Sequence, residues 1–168
     1  MTATPQEYLA ALQEKFTQES YKYSSQINKK DLVKANTLSF KREKLLIDIA
    51  NNFSDPNTQD NLYKSHIFRF FINNLNVVYD ECVSEGECNV GTMYLKMRNY
   101  IYSQVKISRD WEGESIQNLR SNGLDNLQAE TEKDYRQLKN NLDQQLLSEF
   151  QRIIQDVRDN LQNSTLDK

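Results

Sequence analysis

The sequence predicts an all-α fold, an elongated bundle of four to five helices ending in one long, coiled-coil-like C-terminal helix. Three observations predict it. Only four Gly and two Pro occur in 168 residues, so the turn punctuation of a β-sandwich or an α/β fold is nearly absent. Apolar residues recur at steps of three and four through most of the chain, the repeat of helices that each bury one face. The length suits one folding unit. We therefore expect a single domain over 1–168, with 1–109 as a bundle of shorter helices and 115–163 as one long helix. Asn and Gln supply 32 residues and the hydrophobic share is 38%, a balance that leans toward disorder, but the helical spacing outweighs it.

The first helix should start at Thr4-Pro5, with Thr4 as N-cap, Pro5 at the first helical position and Glu7 completing a capping box. Tyr8, Leu9, Leu12, Phe16, Tyr23 and Ile27 then form its stripe, with Ser20 as a weak point in the middle. At residues 28–31 the helix either breaks, with Asp31 as a new cap, or runs on. Leu32, Ala35, Leu38, Leu45, Leu46, Ile49 and Phe53 continue one helical stripe until Pro56 ends it. A third segment opens near Thr58 or Asp60 and carries Leu62, Tyr63, His66, Ile67, Phe70, Phe71, Leu75, Val78 and Cys82. This is the densest apolar stretch, so it should be the most buried helix. After a loop around Gly86 and Gly91, a helix with Met93, Tyr94, Met97, Ile101 and Val105 should end near Arg109.

A turn at residues 111–114 would let Ser115 cap the last helix, with Gly123 as its one interior weak point. Its seam, from Leu127 through Leu138, Leu142, Leu146, Phe150, Ile153 and Val157 to Leu161, is narrow and flanked by charged and amide residues. That pattern suits helix pairing more than a broad core. Steps of four outnumber steps of three, which predicts a straight or weakly right-handed pairing. At about 1.5 Å per residue, a helix over 115–161 would reach roughly 70 Å, more than a compact domain needs.

The net charge of −3 is unevenly placed. Residues 1–109 sum to +2 and residues 110–168 to −5, so the two parts could pair within or between chains. The sequence shows no signal-peptide pattern and no apolar run of about 18 residues, so no transmembrane segment, and a cytoplasmic location is expected. A reducing compartment would leave Cys82 and Cys88 as thiols, Cys82 packed at a helix end and Cys88 in the loop; a loop-closing disulfide requires an oxidising setting.

Chemistry is sparse. His66 is the only histidine, which removes sites built on two, including the Glu-x-x-His pairs of di-iron bundles. It reads first as a hydrogen-bonded structural histidine. Cys82 and Cys88 are too widely spaced for a Cys-x-x-Cys motif, no phosphate-cradling glycine loop occurs, and Asp80-Glu81 point apart on a helix. No cofactor, metal site or catalytic activity is expected.

Three functional readings follow. The leading one is a helical protein interaction module, a scaffold, adaptor or regulatory subunit that pairs with a protein partner or itself as a homo-oligomer through Leu138, Leu142, Leu146, Ile153 and Val157. The second is a polyanion-binding protein that contacts nucleic acid or an anionic membrane surface through Lys22, Lys29, Lys30, Lys34, Lys41, Arg42 and Lys44; a solvated helix face is the plainer account of those residues. The aromatic and basic residues from Tyr94 to Tyr102 resemble a base-stacking surface, but helical geometry turns Tyr94, Met97 and Ile101 toward a core. The third reading is a small-ligand sensor or enzyme with a site between helices near His66 and Tyr63.

Overall fold

A computed structural model of the chain describes residues 3–41, 45–104 and 129–166. Six helices stand among the described residues: α1 Pro5–Ser24, α2 Lys29–Asn36, α3 Leu45–Asn52, α4 Pro56–Ser84, α5 over residues 90–104, and α6 Ala129–Leu166. The all-α bundle is as the spacing predicted. The turn at 111–114, Ser115, Gly123 and the end of α5 lie outside the described residues, as do the side chains of 129–143.

Local chemistry explains most of the boundaries. Thr4 and Glu7 form the full capping box ahead of Pro5. Between α1 and α2 the chain breaks, but the cap is Asn28 rather than Asp31: Asp31 donates its backbone N–H to Asn28 Oδ1 at 2.8 Å. Asp31 sits instead in the first turn, where its charge suits the helix dipole. The stripe of residues 32–53 is shared by two short helices, not one. Thr37 ends α2, its hydroxyl and its N–H both donating to the Lys34 carbonyl, at 2.7 and 3.1 Å. Pro56 ends one segment and opens the next, since at the first helical position its missing N–H leaves nothing unsatisfied. Asp55 is the cap, accepting from Thr58 N–H at 3.2 Å, so α4 starts two residues earlier than Thr58.

The core forms where α1 crosses α4 and α6 lies across both. Ser20 is no weak point in the α1 stripe. It is buried and exchanges hydrogen bonds with Ser65 on α4, each hydroxyl donating to the other's backbone carbonyl at 3.1 Å. Two small residues facing each other bring the helices close, and reciprocal bonding satisfies both hydroxyls. Around this crossing stand Phe16, Phe68, Phe71 and Phe150. Phe150 of α6 is edge-on to all three others, with ring centroids 5.6, 4.6 and 4.8 Å away, inside the favourable range for aromatic pairs. Tyr8 adds a polar tie, donating its hydroxyl to the Ile154 carbonyl on α6 at 2.7 Å. Among the described residues α4 contributes the most buried side chains, nine of its 29, a proportion close to that of α1; Phe68, absent from the predicted stripe, is fully buried while Phe70 is only partly so.

The corner between α4 and α5 is fastened several times. Gly86, at φ +106°, follows the α4 C-cap in the left-handed region that favours glycine. Asn89 and Thr92 cap α5 reciprocally, each backbone N–H donating to the other's side chain at 2.9 Å. Lys96 pairs with Glu85 at 2.6 Å, which raises its pKa through that hydrogen bond. Cys82 and Cys88 are joined as a disulfide rather than standing as two thiols. The α4 terminus and the loop that doubles back from it put the two sulfurs together. Val90, Met93, Met97 and Ile101 of α5 then enter the common core.

Candidate functional site

His66 faces a small cavity between the end of α1, α2 and α4. It is partly buried and edge-on to Phe40, with ring centroids 5.4 Å apart. Ser24, Asn36, Ser65 and Arg69 supply the polar lining, and Ile27 and Leu32 part of the apolar wall. Tyr63 is buried in the core, and the residues lining this cavity do not include it. The cavity holds about 40 Å³, whereas small-molecule sites typically enclose roughly 300–1,000 Å³. It has room for water and little more.

The basic segment is only partly a free surface. Lys29 and Lys30 are exposed in the first turn of α2, where positive charge is unfavourable to the helix dipole. Lys34 turns back on its own chain: its ammonium donates to the Asn52 carbonyl and lies 5.0 Å from the Phe53 ring centroid. Lys22 lies 4.0 Å from Glu19 and over the Tyr23 ring. Lys41 is exposed, and Arg42 and Lys44 fall outside the described residues. The Tyr94–Tyr102 stretch divides as helical geometry requires. Met97 and Ile101 are buried, Tyr94 lies under Arg158 of α6 with the guanidinium 4.2 Å from the ring, Tyr100 is edge-on to Phe71, and Tyr102 is exposed.

Of the seam residues on α6, Leu146 and Ile153 are buried in the chain's own core and Val157 packs partly against it. Leu138 and Leu142 have side chains outside the described residues. Buried Ile154 widens the face beyond the seam, at the place where α6 meets α1 and α4 together.

A cluster that the seam and motif reading passed over lies where α1, α4 and α6 meet. Glu19 is 7% exposed, yet its Oε2 has no hydrogen-bond partner. Its nearest cations are Lys15 at 3.5 Å, on the other oxygen, and Lys22 at 4.0 Å. Across the boundary, Glu149 accepts from the Tyr23 hydroxyl at 2.8 Å on both carboxylate oxygens. Burial raises the Glu149 pKa and the negative charge of Glu19 raises it further, while the Tyr23 hydrogen bond and Lys64 pull it down. Burial and the bond to Glu149 push the Tyr23 phenol well above its usual range, so it remains a neutral donor. The signal in the sequence was faint: Glu19 follows Phe16 by three residues and precedes Tyr23 by four, which places it at the rim of the buried stripe.

Among the described residues no group of three or more His, Cys, Asp or Glu side chains could hold a metal ion, and no helix is long and apolar enough to cross a membrane. Compared with protein-family models, curated proteins and solved structures, the chain matches none.

Proposed function

We propose that this protein is a non-catalytic helical interaction module, a scaffold, adaptor or regulatory subunit, whose docking element is the N-terminal half of α6 and whose simplest partner is a second copy of the chain. The observation that carries the reading is the length of α6 together with the narrow apolar seam that its sequence lays down. The helix runs for 38 residues, about 57 Å at roughly 1.5 Å per residue. Leu146, Phe150, Ile153 and Ile154 of this helix lie in the chain's own core. The sequence pattern of Tyr135, Leu138 and Leu142 continues the apolar seam N-terminal to those residues, with Lys133, Arg136 and Lys139 beside Glu132, Asp134 and Asp143. A narrow apolar line between mixed charges is the composition of a helix that pairs with another helix.

Light scattering on two variants separates this role from simple core packing. Leu142→Asp places a charge in the proposed dry contact between copies, so it should reduce the solution mass to that of one chain while helical circular dichroism is retained. Leu146→Asp places the same charge among the aromatic rings of the chain's own core and should unfold it. If Leu142→Asp also unfolds the chain, or leaves the mass of the wild type unchanged, the seam is not an interface between copies.

A further inference from the structure

We propose that the outward face of α2 docks the chain onto an anionic membrane surface, with Lys29 and Lys30 against lipid headgroups and Val33 seated between them at the headgroup boundary. From residue 20 to residue 44 the sequence carries seven Lys or Arg against only Asp31 and Glu43. The short helix α2 lies in the middle of that stretch. Ala35 is its buried residue and Asp31 and Leu32 are half-buried, so at about 100° per residue the opposite face carries Lys29, Lys30 and Val33. Val33 is 66% exposed and Tyr21, in the last turn of α1, is 72% exposed. They are the two most exposed large apolar side chains among the described residues.

Nothing in the described fold answers this charge. Asp31, the nearest acid in sequence, is held by Asn28, whose side-chain amide donates to it at 2.9 Å. Lys29 and Lys30 make no ion pair among the described residues, and they stand in the first turn of α2, where the helix dipole disfavours positive charge. Arg69 of α4, exposed and likewise without an ion pair there, shares the cavity wall with Asn36 and adds a cation at the edge of α2. Lys34 does not contribute, because its ammonium is tied to the Asn52 carbonyl.

Charge complementarity calls for an anionic partner, and the valine decides its kind. A valine has neither a flat ring to stack on a base nor a donor for a phosphate. At a bilayer surface an apolar side chain flanked by lysines is buried at the headgroup–acyl boundary, a depth that tyrosine also suits. One short face makes a small contact, so the docking is reversible and sensitive to salt. It does not rest on the α6 seam.

The test is flotation of the full chain with vesicles of phosphatidylcholine alone and of phosphatidylcholine with about one-third phosphatidylserine. Binding is expected only to the second, and it should be lost in molar salt, where charges are screened within about 3 Å. Joint Lys29→Gln and Lys30→Gln substitution should weaken partitioning about 25-fold, at about fivefold per basic residue removed. Val33→Ser keeps the charge and should weaken it several-fold. All three side chains are exposed, so the variants should keep the wild-type circular dichroism. In hydrogen exchange, amides of residues 29–36 should gain protection on the anionic vesicles, since lipid phosphates and carboxylates offset the like charges of the first turn. Absence of binding to the anionic vesicles, or binding that the lysine pair leaves unchanged, would overturn the proposal. Vesicle binding indifferent to Val33→Ser would also overturn the membrane assignment; tighter, lysine-dependent binding of a single-stranded oligonucleotide in its place would give the face to nucleic acid.

Discussion

Phe150 is where single residues weigh most. Its ring meets one aromatic side chain from α1 and two from α4, so deleting it opens a void that three helices share. Phe150→Ala should cost about 3–5 kcal/mol in denaturant unfolding, near the upper range for core truncations. Tyr8→Phe is milder. It removes the bond to the Ile154 carbonyl while the ring stays packed, a loss of about 1 kcal/mol, because a carbonyl inside a helix keeps its backbone bond. A cost near that of Phe150→Ala would show that the Tyr8 hydroxyl carries the α1–α6 contact. Residues of these two kinds were legible in the sequence, since aromatic side chains at helical spacing declare burial. Ser20 and Glu19 were not. A buried serine is intelligible only through its partner, and Ser65 stands 45 positions away; little in the sequence marks Glu19 as enclosed.

Elements were legible where their signals are local. The Thr4-Pro5-Glu7 start of α1 is fixed by groups within three residues of one another, and the structure places it there. The division between α2 and α3 was not legible, because a hydrophobic stripe keeps its phase across a short interruption and residues 37–41 contain neither Gly nor Pro. The disulfide was open for a different reason: spacing alone does not say whether a loop folds back. Its contribution can be bounded from the loop it closes. A ring spanning six residues of separation restricts the unfolded chain by about 2 kcal/mol in the chain-entropy model. Reduction, or joint Cys82→Ser and Cys88→Ser substitution, should lower stability by about that amount and leave α5 docked, since Gly86, the Asn89–Thr92 cap and the Lys96 ion pair still hold the corner. Loss of α5 protection on reduction would show the bond to be the main fastening. Whether the natural compartment is the expected cytoplasm is answered by thiol labelling of the protein in its source cells, where a reducing setting predicts two labelled cysteines.

Across the whole molecule, α6 is one helix with two assignments. From Leu146 onward it completes the core that α1 and α4 begin, through Phe150, Ile153 and Ile154, and Tyr23 of α1 bonds Glu149 across that same boundary. N-terminal to Leu146 it continues a narrow seam, to which we assign the partner. The division was hidden in the sequence because both halves have the same step pattern, and a step pattern does not say whose side chains fill the facing holes. The most direct measurement is hydrogen exchange of the wild type, resolved along α6 and repeated over a wide range of protein concentration. The account predicts protection of residues 146–161 that is independent of concentration, and protection of residues 129–143 that rises with it. Equal, concentration-independent protection along the whole helix would place all of α6 in the fold of a single chain and contradict the proposed docking role.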